Sequence, residues 1–108
     1  MNNLFYRWLI KQKKINAVVT GGASGLGEAT VRKIIDLGGT VTISDFQEDR
    51  CINLSDELGK NCAYYITDVT NEESINKALI KSISNFGPIN LVVNCAGIGV
   101  TNKINLLQ

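Results

Sequence analysis

Four glycines fall within seven residues in the run Thr20-Gly21-Gly22-Ala23-Ser24-Gly25-Leu26-Gly27. A backbone free of side chains at such positions turns tightly and comes close to a ligand. If a helix begins there, its first amides lack intrahelical acceptors, and its dipole places partial positive charge at that end. The chemistry this suits is the cradling of an anion such as a pyrophosphate, with Gly21, Ser24, Gly25, Leu26 and Gly27 as the contacting residues. The spacing is G-x-x-x-G-x-G, and no Gly-Lys-Ser/Thr follows, which excludes a P-loop. Taken alone, the run reads equally as a glycine-rich turn that binds nothing.

Asp45 lies twenty positions beyond Gly25. At the end of a second strand, an acid accepts hydrogen bonds from the hydroxyls of an adenosine ribose. It would repel a 2′-phosphate, and Phe46 and Gln47 follow it rather than an arginine, so NAD is favoured over NADP. Ordinary turn chemistry is the other reading of such an Asp. Asp68-Val69 and Asn94-Cys95-Ala96-Gly97 fall at two further strand ends. Asp68 is placed to accept from an adenine amino group and Val69 to offer backbone or apolar contact. The small Ala96-Gly97 pair admits a ribose or nicotinamide close to the main chain.

These positions require a particular scaffold. Residues 15–20 read as a buried strand, and a helix from the glycines to about Leu37 buries Val31, Ile34 and Ile35 and stops at Gly38. Strand 40–44 precedes helix 48–58, which Gly59 ends. Strand 63–67 leads to a third helix whose Thr70 and Glu73 have capping-box spacing, and Gly87-Pro88 closes it. Residues 89–93 are apolar enough for a strand buried on both faces. The β-α-β-α-β-α-β alternation predicts an α/β fold, a partial Rossmann arrangement with a doubly wound parallel sheet in order 3-2-1-4. The tail 101–108 has no clear period. The expected organisation is a basic extension over 1–14 and a truncated dinucleotide-binding domain over 15–108, its C-terminal half missing.

Composition excludes several alternatives. The chain has 108 residues, no histidine and a net charge of +1. Ser-His-Asp hydrolysis and histidine-containing zinc sites are therefore excluded, and no charge excess argues for nucleic acid. Cys51, Cys62 and Cys95 form no C-x-x-C pair and read as buried hydrophobes in a reducing compartment, which argues against a metal site and against secretion. No apolar run is long enough to span a membrane. Residues 1–27 hold Arg7, Lys11, Lys13 and Lys14 and no acid. Such a start fits an organelle-import signal or a solvated leader packed beside the first strand.

Together the glycine run, Asp45, Asp68-Val69 and Asn94-Cys95-Ala96-Gly97 resemble the cofactor half of the short-chain dehydrogenase/reductase family. From Val18 to about Leu107 the resemblance narrows to that family's 3-hydroxyacyl-CoA and hydroxysteroid branch. It implies an NAD-dependent oxidoreductase that interconverts a secondary alcohol and a ketone, mitochondrial or otherwise cytoplasmic. By the same resemblance Ser24 and Leu26 meet the pyrophosphate, Asp45 the ribose, Asp68 and Val69 the adenine, and Cys95 the nicotinamide-side ribose, while Asn94 supports the central sheet. The family's catalytic pair is Tyr-x-x-x-Lys, yet Tyr6, Tyr64 and Tyr65 are followed four residues later by Ile10, Asp68 and Val69. No catalytic residue is assigned, and acyl-CoA or steroid turnover is expected only with the missing half supplied. The alternative is a noncatalytic module that binds dinucleotide or protein, associating through an unpaired fourth-strand edge.

Overall fold

The computed structural model describes residues 14–96, the backbone of 103–106, and Leu4. β1 (Asn16–Thr20) is buried at every position, as a central strand covered on both faces must be. β2 (Thr40–Asp45) pairs parallel to it with Ala17 opposite Val41 and Thr20 opposite Ser44. β3 (Cys62–Ile66) lies outside β2, and β4 (Leu91–Asn94) pairs parallel with β1 on its other side. The predicted order 3-2-1-4 is the observed one, extended by β5 (Lys103–Leu106).

α1 (Gly25–Asp36) and α2 (Glu48–Leu58) cover one face of the sheet, and α3 (Glu72–Phe86) covers the other. Period-two alternation assigns Ala17, Val19, Val41 and Ile43 to the first face, where they join Val31, Ile34, Cys51, Leu54, Cys62 and Val93 in one apolar core. Burial pushes the Cys51 thiol up to about 12 and the Cys62 thiol up to about 11, so both stay protonated near neutrality and behave as small hydrophobes. Arg32 on α1 pairs with Glu28 one turn back and with both carboxylate oxygens of Glu57 on α2, which ties the two helices across the surface.

The face beneath α3 is polar. Asn16 Nδ2 donates to Gly87 O at 2.9 Å and Pro88 O at 3.3 Å. Its Oδ1 accepts from Thr40 Oγ1 at 3.0 Å and Ser82 Oγ at 3.3 Å. One amide thus joins β1 to β2, to α3 and to the turn before β4. β4 begins two residues later than the predicted 89, because Asn90 pins the chain to β1 through its side chain: Asn90 Oδ1 accepts from Asn16 N.

Two other expectations need correction. The N-cap of α3 is Asn71, not Thr70: Asn71 Oδ1 accepts from the amides of Glu73 and Ser74 at 2.9 and 3.3 Å. Thr70 donates both its amide and its hydroxyl to Asp68 Oδ1, so its side chain is already committed one residue before the N-cap. The fourth-strand edge is also not open. β5 pairs antiparallel with it, from Leu91 opposite Leu106 to Asn94 opposite Lys103, and supplies the backbone partners that edge requires. The half-buried Tyr64 and Tyr65 lie in β3 near the Lys81 ammonium, at 5.2 and 5.9 Å from their ring centres, which is packing rather than acid/base geometry.

Candidate dinucleotide site

All four parallel strands end on the same rim, and hydrogen bonds stitch the segments that follow them. Gly21 N donates to Ser44 O at 2.8 Å, Thr67 N to Asp45 O at 2.8 Å and Cys95 N to Thr20 O at 3.0 Å. The rim therefore brings together Gly21–Gly27, Asp45–Gln47, Thr67–Val69 and Cys95–Ala96. This is the carboxyl-end crevice where open α/β sheets take ligands.

The bend is as close-packed as its glycines suggest. Gly21 has φ +67°, and a Cβ there would stand 2.8 Å from Ala96 N. A Cβ on Gly27 would stand 1.9 Å from Gly21 O, so the first turn of α1 rests directly on the bend. Ser24 is the N-cap of α1 in extended conformation, yet its hydroxyl makes no capping hydrogen bond. The helix start is thus left without a side-chain acceptor and retains donors for an external anion. Glu28, in that first turn, is engaged by Arg32 and does not present an unpaired charge to the bend.

Asp45 closes the other side. It is 3% exposed, and its Oδ2 accepts from Ala23 N at 3.1 Å, a direct link between carboxylate and bend. Its Oδ1 accepts from Gln47 N at 3.1 Å and from Gln47 Nε2 at 3.3 Å. Gln47 Nε2 also donates to Ser24 Oγ at 3.3 Å, so one amide spans the two halves of the crevice. Sequence reading used Gln47 only as a neighbour of the acid that is not an arginine and gave it no contact; its signal was that it stands two residues after the acid. Phe46, which the sequence reading used only as a neighbour of the acid that is not an arginine, is 76% exposed at the strand end.

The other expected positions divide. Asp68 is exposed, and its carboxylate is held below the usual range by the Thr70 hydroxyl and amide. Val69 and Leu26 expose apolar side chains on the rim. Asn94 Oδ1 accepts from Thr20 Oγ1 at 2.6 Å, which locks β4 to β1. Cys95 packs against the core and neighbours Thr30 of α1, and its amide donates to Thr20 O. Ala96 N donates to Thr20 Oγ1 at 3.4 Å, while Gly97 lies outside the described residues. Among the described residues no cluster suited to a metal ion is present, and no helix is long and apolar enough to cross a membrane.

Observations internal to the chain fit a dinucleotide: a cradle that side chains would fill, helix donors facing it, and a buried carboxylate anchored beside it. Known proteins agree. The family model for short chain dehydrogenase matches residues 15–108. A 3-hydroxyacyl-CoA dehydrogenase type-2 of Bos taurus is 40% identical over 91 residues, covering 84% of this chain and 35% of the relative. Short-chain dehydrogenase reductase 3a of Arabidopsis thaliana is 39% identical over 83 residues, covering 76% and 32%. The crystal structure of 3-hydroxyacyl-CoA dehydrogenase type-2 from Mycobacterium avium superposes with TM-score 0.74 at 37% identity, covering 82% of this chain and 35% of that one. A 3-ketoacyl-(acyl-carrier-protein) reductase from Brucella melitensis, complexed with NADH, gives TM-score 0.69 at 25% identity, covering 73% and 32%. The chain spans about a third of the length of these relatives. With the family model, the sheet order and the crevice in agreement, the chain belongs to the short-chain dehydrogenase family.

Proposed function

We propose that residues 15–108 form the NAD-holding portion of an oxidoreductase that interconverts a secondary alcohol and a ketone, of the 3-hydroxyacyl-CoA or hydroxysteroid type. The observation that carries this reading is the Asp45 carboxylate, 3% exposed and hydrogen-bonded at 3.1 Å to the amide of Ala23 inside the glycine bend. An acid in that position receives ribose hydroxyls and disfavours a 2′-phosphate. The 3-hydroxyacyl-CoA dehydrogenase relatives support the substrate class.

In this reading the backbone at Gly21, Gly25 and Gly27, together with Ser24 and Leu26, holds the pyrophosphate, and Asp45 holds the ribose. Asp68 and Val69 bound the adenine, with Phe46 offering an exposed ring beside them. Asn94, Cys95, Ala96 and Gly97 floor the nicotinamide side. NAD, when bound, supplies the hydride acceptor or donor; this chain's residues bind and orient it. Proton transfer is assigned to none of them, since the sequence contains no Tyr-x-x-x-Lys. The basic, acid-free run before residue 15 supports a mitochondrial address.

The test is Asp45→Asn, which keeps the shape of the side chain and removes its charge. NAD affinity, followed by calorimetric titration, should fall about tenfold, which is ~1.4 kcal/mol. The preference for NAD over NADP should narrow, because repulsion of the 2′-phosphate is gone. Equal affinity of the unmodified chain for both cofactors would remove the basis of the ribose assignment.

A further inference from the structure

We propose that the Gln47 side chain is a placeholder, occupying the ribose position on Asp45 until the cofactor expels it. The inference rests on the NAD reading above and extends it to a residue that tunes affinity.

A carboxylate offers about four lone-pair positions, two on each oxygen. Asp45 already accepts three N–H donors: Ala23 N on Oδ2, then Gln47 N and Gln47 Nε2 on Oδ1. One position on Oδ2 is left. A ribose diol brings two O–H donors, so it needs one position more than the closed crevice provides.

Which donor yields follows from geometry. The amides of Ala23 and Gln47 are main chain, each at 3.1 Å and fixed by the bend and by the start of α2. The third donor ends a rotatable, half-buried side chain, and both of its hydrogen bonds are long, at 3.3 Å to Asp45 Oδ1 and 3.3 Å to Ser24 Oγ. Asp45 is acceptor-only when ionised, which fixes the amide with its nitrogen toward the acid. Turning this one side chain outward frees a lone pair of Asp45 for the sugar, while Ser24, which only accepts from Gln47, keeps its O–H for the anion at the helix start throughout. A single displacement therefore provides the acceptor that the second ribose hydroxyl needs. It also sets up a ligand-dependent effect. A cofactor with one hydroxyl on that ribose fits the free Oδ2 position and leaves Gln47 in place, whereas the complete diol must displace it.

The experiment compares NAD with its 2′-deoxyadenosine counterpart on the full chain and on Gln47→Met, which fills similar volume without a donor. Gln47→Met should tighten NAD binding three- to tenfold and leave the deoxy compound within twofold. Gln47→Asn, an amide one methylene short of both partners, should do the same and guards against a folding artefact in the first variant. Weaker or unchanged NAD binding in both variants, or equal changes for the two cofactors, would overturn the placeholder role. Failure of the underlying cofactor reading is separately visible, as NAD affinity that Asp45→Asn leaves untouched.

Discussion

Gly27→Ala should destabilise the chain by ~3 kcal/mol or more and eliminate detectable NAD binding. The added Cβ would stand 1.9 Å from Gly21 O, 2.6 Å from Gly21 C and 2.9 Å from Gly22 Cα. All three are backbone atoms of the bend, so no rotamer change relieves the clash. Either α1 lifts from the sheet or the bend opens, and both outcomes separate the helix donors from Asp45. Gly25 is the internal control: it has φ +57° but open space around its Cβ position. Gly25→Ala therefore carries only conformational strain, ~1–2 kcal/mol. Urea denaturation of both variants, with NAD titration of each, checks the ranking. Equal midpoints would mean that close approach of helix and bend is not what position 27 requires.

Asn16→Leu should cost ~2–4 kcal/mol although it places an apolar side chain of similar size in a buried strand. Asn16 is 4% exposed, and its amide satisfies the Gly87 and Pro88 carbonyls and the Thr40 and Ser82 hydroxyls together. Leucine removes all four hydrogen bonds and leaves the fully buried Ser82 hydroxyl, and the Gly87 and Pro88 carbonyls of the α3–β4 turn, without this partner. Ser82→Ala loses one long hydrogen bond of that set, so its cost should be ~1 kcal/mol. Denaturant midpoints for the two variants decide the matter; a leucine as stable as the parent would show that the polar seam contributes nothing net.

That seam also marks how far the sequence could be read. β1 and β2 were legible because they are central parallel strands, buried on both faces and rich in β-branched residues. The bend was legible because its glycines answer a local steric demand, and Asp45 because the end of a strand places it. Asn16 resembled any residue opening a strand, since its partners lie more than 20 residues away at Thr40 and more than 60 away at Ser82. Thr42 and Ser44 are fully buried on β2, with hydroxyls that find no partner among the described residues; nothing local distinguishes them from exposed strand positions.

Competition between near-equivalent neighbours produced the other differences. Thr70 and Asn71 are adjacent candidates for one helix start, and Asp68 decides between them by taking both donors of Thr70. Lys103-Ile104-Asn105-Leu106 does alternate, but four residues are too short to establish a period without the β4 edge beside them. For Cys95 the sequence indicated the end of β4 without telling side chain from main chain: the thiol neighbours Thr30 of α1, and the amide donates to Thr20 O. Gln47 escaped because its role depends on lone pairs of Asp45, a count that only the folded geometry makes possible.

In the proposed function the bend and the acid across from it form one cofactor-binding surface. Amide-resolved NMR of the full chain titrated with NAD examines it directly. Saturable shifts are expected at residues 21–27, 45–47 and 68–69, with the solvent-facing residues of α3 unmoved. Saturating NAD that leaves the amides of Ala23 and Gln47 in place, or moves α3 instead, would contradict it.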